Sequence, residues 1–306
     1  GPQGPARRLE AVQETAIEVR DLRKSYGPLE AVKGVSFDVR RGEVFGLLGP
    51  NGAGKTTTVE ILEGYRERSG GEVSVLGFDP ANAERELKER VGIVLQEMGF
   101  YPNATVRESV SHVATFYPHP RDIGETIALV GLDGNEDKRA RKLSGGQRRR
   151  LDLALALVGD PELIFLDEPT TGFDPAARRA AWTVIRTLRD LGKTVMLTTH
   201  YLDEAQELAD RVAIVKDGVI IAQGPPAELR PGHAAYRVAY DDPLGGRVEV
   251  ETDDPTDLLH RLTGEALERG ERLENLTVSR PTLEDVYLDL TAEEESAAVT
   301  PEAVSQ

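Results

Sequence analysis

The sequence predicts an α/β fold: a core on a largely parallel sheet, a helical subdomain inserted into it, and a small C-terminal α+β domain. Three observations predict this. From Ala16 to about Ile221, short apolar strand patterns alternate with helical ones, as in parallel sheets with crossover helices. Three of the apolar runs, "VGIVLQ", "LIFLDE" and "TVMLTTH", end in a polar or charged residue. A linker by composition, "GPPAELRPGH" at Gly224–His233, then precedes a second set of strands and helices. A chain of 306 residues has room for one large and one small domain.

In chain order, "GPQGPARR" lacks an initiator Met and reads as a cleavage scar within a disordered lead-in, residues 1–15. "AIEVR" and "VSFDVR" alternate apolar with polar residues and are expected as edge strands of an antiparallel sheet. "EVFGLL" is a buried strand running straight into the glycine-rich "GPNGAGKTT", Gly49–Thr57, and "TTVEILEG" behind it is a helix. "VGIVLQ" is a further buried strand. Between Gln96 and Leu163 the pattern turns helical, with "TVRESVSHVATF" and "GETIALVGL" amphipathic and "LSGGQ" opening a third helix. The inserted subdomain is placed at about residues 97–160. "LIFLDE" and "TVMLTTH" complete the buried strands of a domain spanning 16–223. After the linker at 224–233, "AAYRVAY", "RVEVET" and "RLENLTVS" read as strands. "PTDLLHRLTGEALERG" and "PTLEDVYLDL" read as helices, giving an accessory domain at 234–290. The acidic, small-residue-rich segment 291–306 is expected to be disordered. No internal repeat is found.

The bulk composition excludes several classes. Apolar residues make up 39%, enough for a sizeable core. There is no cysteine, so disulfides and thiolate metal sites are out. No apolar stretch reaches the roughly 18–20 residues a membrane helix needs, and no signal peptide is apparent. Net charge is −16, and 6 Arg with no Lys face 18 Asp and Glu from Pro231 onward. An acidic chain argues against nucleic acid as the main partner, because duplex binding needs Lys and Arg to displace counterions.

The motifs carry the chemistry. Gly49, Pro50, Asn51, Gly52, Ala53, Gly54, Lys55 and Thr56 match G-x-x-x-x-G-K-[ST] between a strand and a helix. Glycines let backbone N–H groups turn inward around a polyphosphate, Lys55 neutralises its terminal oxygens, and the Thr56 hydroxyl takes a Mg²⁺ position. "LIFLDEP" delivers Asp167 for the metal shell and Glu168 as general base. Neighbours on a strand point opposite ways, so one strand end can serve metal and attacking water separately. Ligands of open α/β sheets sit beyond the carboxyl ends of the strands. Gln96, Asp167, Glu168 and His200 are therefore predicted on one edge, near the glycine loop. Ser144 reads as an N-cap, and the amides of Gly145, Gly146 and Gln147 with the helix dipole favour an anion. This second anion site has no lysine and lies about 90 residues from Lys55. "RRR" at Arg148–Arg150 reads as a solvated helix face.

Residues 16 to 222 resemble the ATP-binding subunit of an ABC transporter. Tyr26 matches the family's aromatic loop, Gly49–Thr57 the phosphate loop, Gln96 the lid glutamine and Leu143–Gln147 the family signature. Leu163–Glu168 matches the strand with the catalytic acid, Asp174 the D-loop and His200 the switch histidine. Phe173 stands where the family more often has Leu. The resemblance implies a P-loop NTPase (RecA-like) core that uses ATP and Mg²⁺. It implies Glu168, His200 and Gln96 in catalysis and Thr56, Gln96 and Asp167 at the metal. Nucleotide contacts would come from Tyr26, from Gly49 through Thr56 and Thr57, and from Ser144, Gly145, Gly146, Gln147 and Asp174. It also implies head-to-tail dimerisation, in which the Ser144 turn of one copy meets the nucleotide of the other.

Within that family, "SGGQRRRLDLALALVGDPELIFLDEPTTGFDPAARR" and "SRPTLEDVYLDLT" are similar to the drug, antibiotic and lipid exporter branch with separate membrane subunits, the daunorubicin-resistance (ABC-2) type. The implied partners are a separate permease and a second copy, with no nucleic acid, at the cytoplasmic face of the membrane. The alternatives are an importer or a polysaccharide or lipid ABC ATPase, and further off one acting on ribosomes or DNA. The gap between phosphate loop and signature is too short for the coiled coil of repair-type relatives.

Overall fold

A computed structural model describes residues 14–82, 85–94, 101–229, 236–242, 246–279, 283, 284 and 287. The chain divides into two compact units, 1–223 and 224–306. The lead-in before residue 14, Gln96, most of the "PTLEDVYLDL" segment and the acidic tail lie outside the described residues.

The first unit opens with two long strands, β1 (Thr15–Tyr26) and β2 (Leu29–Arg40). They pair antiparallel. β3 (Val44–Leu48) follows, then helix α1 (Lys55–Leu62) and strand β4 (Gly70–Val75). β4 pairs antiparallel with the other side of β1, so β1 is the centre of a three-stranded sheet ordered β2-β1-β4. This corrects the expectation that "AIEVR" forms an edge. The sequence reading missed β4 because "GGEVSV" is short and opens on two glycines.

The main sheet has six strands. Helix α2 (Arg85–Arg90) leads into β5 (Val91–Val94). Helices α3 (Val106–Ala114), α4 (Ile123–Leu129) and α5 (Gly145–Leu157) follow. Then come β6 (Leu163–Asp167), α6 (Pro175–Asp190), β7 (Thr194–Thr199), α7 (Leu202–Leu208), β8 (Arg211–Lys216) and β9 (Val219–Gly224). The spatial order is β5-β6-β7-β3-β8-β9. The pairs among β5, β6, β7, β3 and β8 are parallel. β5 is an edge strand and only half-buried, so "VGIVLQ" is less enclosed than its apolar run suggests. The Asp217–Gly218 pair, both at positive φ, turns β8 back into β9.

Strand alternation builds a core on each face of this sheet. Leu163 and Phe165 of β6 pack with the antiparallel sheet and α1, whereas Ile164 and Leu166 pack with α3, α5 and α6. All five residues of β6 are buried, as expected of a strand covered on both sides. The helical segment predicted at about 97–160 holds α3, α4 and α5. α3 is started by a capping box between Thr105 and Glu108, and α4 by Asp122.

In the second unit, β10 (Tyr236–Asp242) pairs antiparallel with β11 (Gly246–Thr252) and with β12 (Glu274–Ser279). Helix α8 (Pro255–Glu268) begins at Asp254, whose carboxylate accepts from the amides of Thr256 and Asp257, with Pro255 in the first turn. Among the described residues, no helix is long and apolar enough to cross a membrane.

Candidate functional site

Parallel strands β6, β7 and β3 end side by side, and this brings the predicted residues together. β3 leads into the glycine loop, β6 ends at Asp167, and His200 follows β7. Two glycines of the loop are required by close approach. A Cβ on Gly49 would lie 2.1 Å from the Val215 carbonyl oxygen, and one on Gly54 would lie 2.6 Å from that of Ala31. Gly54 caps α1 in the left-handed conformation (φ 100°) with no side-chain bond, so the first-turn amides of α1 have no side-chain cap. At Gly52 a Cβ would meet nothing within 4 Å, and the loop there borders open space.

Lys55 is buried at the root of this loop. Its Nζ donates to the carbonyls of Gly49 (2.8 Å) and Pro50 (3.1 Å) and lies 3.8 Å from Glu168 Oε1. Burial lowers its pKa below the ordinary lysine value, opposed by the carboxylates of Glu168 and Asp167. Asn51, Gly52, Gly54, Lys55, Thr56 and Glu168 line a cleft of about 350 Å³. Thr57 lines it as well, while Ala53 is buried and Pro50 exposed. The orphan amides, the cation and the open glycine suit a polyphosphate.

Asp167 is buried at the strand end and accepts from the Thr198 hydroxyl. Glu168 leaves the strand with φ 45°. Strand alternation therefore does not separate the two acids. A left-handed residue does, at a cost of about 1–2 kcal/mol for a side chain with a Cβ. The Glu168 amide donates to Thr198 O (3.2 Å) and Thr198 Oγ1 (3.1 Å), which holds it there. Its carboxylate takes the Thr171 hydroxyl at 3.1 Å and lies 3.2 Å from His200 Nδ1. Glu168 thus sits among Lys55, Thr171 and His200, and this edge contains three of the four residues expected on it. Gln96 lies outside the described residues. Tyr26 ends β1, partly exposed, with Lys24 Nζ and Arg66 Cζ 5.1 and 5.3 Å from its ring, and does not line the cleft.

A second depression, about 1,090 Å³, is lined by Ser144, Gly145, Gly146, Gln147, Asp174 and again Glu168. Ser144 caps α5 in a capping box: its hydroxyl accepts from the Gln147 amide (3.2 Å), and Gln147 Oε1 accepts from the Ser144 amide (3.1 Å). Asp174 caps α6 through the amides of Ala176 and Ala177, both at 2.9 Å.

Sequence reasoning missed Thr198, whose hydroxyl serves both acids, because a threonine inside an apolar strand gives no signal. It also missed Arg149. The arginine triplet is not a uniformly solvated face: Arg148 is exposed and Arg150 partly so, but the Arg149 side chain is only 13% exposed and points inward. Its Nη2 donates to the Asp167 carbonyl at 3.0 Å.

Residues 32–171 match the ABC transporter family model. The chain is 37% identical over 303 residues to the Nod factor export ATP-binding protein I of Burkholderia orbicola, covering 91% of this chain and 97% of that protein. It is 38% identical to the daunorubicin resistance ATP-binding protein DrrA3 of Streptomyces coeruleorubidus, covering 92% and 97%. The chain belongs to the ABC transporter family. Within it, the chain stands with the ABC-2 type exporter ATPases, and it is an ATPase with a P-loop NTPase core. Among solved structures, cbiO1 from Clostridium perfringens, part of the ABC transporter complex cbiONQ, superposes with TM-score 0.64 at 31% identity, covering 70% of this chain and 90% of that one. The ATP-binding cassette MJ0796, a dimer bound to ADP and Pi after hydrolysis, gives TM-score 0.61 at 25% identity, covering 68% and 98%. This ABC ATPase therefore binds nucleotide, and its relatives work within transporter complexes.

Proposed function

We propose that this ABC ATPase drives a membrane exporter of drugs, antibiotics or other amphiphiles, two copies closing around ATP so that each completes the other's site. The observation that carries the reading is that Glu168 lines two depressions at once. One has the lysine and the glycine loop, and the other has the Ser144 helix end without a lysine. A C₂ pair is self-complementary, so an anion held by Lys55 of one copy would be met by Ser144, Gly145 and Gly146 of its partner.

In that assembly Gly49 through Thr57 hold the polyphosphate, Tyr26 stacks on the base, and Gln147 and Asp174 fix the two helix ends that face it. Thr56, Asp167 and Gln96 would hold Mg²⁺ with hard oxygen donors. When bound there, Mg²⁺ would supply charge neutralisation at the terminal phosphate oxygens. Glu168 takes the proton of the attacking water, and His200, 3.2 Å away, holds that carboxylate in place. Lys55 stabilises negative charge on the terminal phosphate. Loss of that phosphate removes what the Ser144 turn grips, so hydrolysis separates the copies. A separate permease would hold the pair at the cytoplasmic face. Exposed Tyr65, Tyr101 and Phe116, each 64–68% accessible, offer it apolar contact. The names of the export and resistance relatives support the cargo class.

The Glu168→Gln variant tests this. It is expected to bind ATP, turn it over at least ~10²-fold more slowly, and elute as a dimer in size-exclusion chromatography with light scattering. Wild-type turnover, or a monomer at saturating ATP, sinks the reading.

A further inference from the structure

The helix that carries the Ser144 turn is fastened to the backbone that aims the chain's own Glu168. Arg149 lies five residues beyond Ser144 on α5, about 7.5 Å along the axis at 1.5 Å per residue. Its guanidinium reaches across to the end of β6. Nη2 donates to the Asp167 carbonyl (3.0 Å) and Nε to the Pro169 carbonyl (3.4 Å). These are the carbonyls on either side of Glu168. The Glu168 amide is meanwhile held by Thr198 of β7. The left-handed acid is therefore fixed from the β7 side through its N–H and from the α5 side through its flanking carbonyls. One turn on, Asp152 lies 4.0 Å from Arg149 Nη1 with its side chain 8% exposed, so the buried guanidinium has a counter-charge on its own helix. A planar fork can span two carbonyls in this way, and a single ammonium cannot hold the same plane.

We propose that Arg149 is a positioning residue that transmits the seating of the Ser144 turn on the partner's nucleotide to this chain's own Glu168. The inference rests on the composite site described under Proposed function. When α5 is drawn toward an anion at its N-terminus, the Asp167 and Pro169 peptides move with it, and so does the carboxylate between them. Each copy then sets its own catalytic acid according to whether its partner is loaded. Arg149 lines the same depression as the Ser144 turn, and in this scheme it acts through the Asp167 and Pro169 carbonyls. Its effect belongs in turnover and not in nucleotide affinity.

The test uses the full chain with ATP and Mg²⁺. Arg149→Met is expected to lower kcat at least ~10-fold while KM for ATP stays within about threefold and Tm is little changed. Arg149→Lys is expected to recover only part of kcat. Placed in the Glu168→Gln background, Arg149→Met is expected to leave ATP-dependent dimerisation intact. If Arg149→Met does not fold, the pair Arg149→Met, Asp152→Leu removes both buried charges and serves the same readout. Wild-type kcat in a folded variant overturns the proposal. So does a parallel loss of kcat, nucleotide affinity and Tm, which marks a merely structural role. Failure of the Glu168→Gln protein itself to dimerise on ATP counts against the composite site instead, and the kcat arm still reads whether Arg149 aims Glu168.

Discussion

At the scale of single residues, the site works through side chains whose surroundings change their chemistry. Glu63 ends α1 and lines a cavity with Lys88 and Tyr117. Burial first, then the carboxylates of Asp167 and Glu60, push its pKa from 4.5 up to about 8. A carboxyl raised in the folded state costs no stability below pH 4.5, where both states are protonated. Stability is lost as pH climbs toward 8, because the unfolded chain ionises first. Glu63→Gln stays neutral throughout. Its Tm is expected to exceed that of the parent by on the order of 5 °C at pH 8, with the gap shrinking to nothing near pH 4.5. Equal Tm values across that range in thermal melts would refute the assignment. Nothing in the local pattern around Glu63 marks it, because its shift comes from three-dimensional neighbours. Lys55, Asp167, Glu168 and His200, by contrast, were legible, since each stands at the end of an apolar strand or inside a spaced glycine loop.

At the scale of elements, helix ends do most of the positioning. α1, α5 and α6 begin at Gly54, Ser144 and Asp174, and these three cap residues line the two depressions. The Ser144 cap has two separable parts. Removing the hydroxyl costs about 1 kcal/mol of capping. Filling the turn with a bulky cation blocks it sterically. Ser144→Arg is therefore expected to bind ATP in its own cleft with near-parent affinity and to lose hydrolysis. Full ATPase activity in that variant would exclude the turn from the reaction. Caps and strand ends were readable because they follow local rules. The pairing of β4 with β1, which moves "AIEVR" from edge to centre, was not, because sheet order depends on contacts distant in sequence. The same holds for Arg149: the triplet's spacing says nothing about which arginine turns inward.

At the scale of the whole molecule, charge opposes what nucleotide promotes. Each copy carries −16, so two copies repel at long range. Salt screens that repulsion over a Debye length of about 10 Å at 0.1 M. The ATP-bound dimer of the Glu168→Gln variant is expected to become more populated as NaCl is raised from about 10 to 100 mM. Light scattering that shows dissociation over this range would mean that attractive charge pairs, not nucleotide and shape, dominate the interface.

The backbone at Glu168 also bears on how such a chain could fall silent. With φ at 45°, the position resists valine, isoleucine and threonine but readily accepts glycine, asparagine or aspartate. A duplicate gene released from the need to cleave ATP could therefore drift to one of those three with its architecture undamaged. It would persist as a folded pseudoenzyme that still grips its ligand.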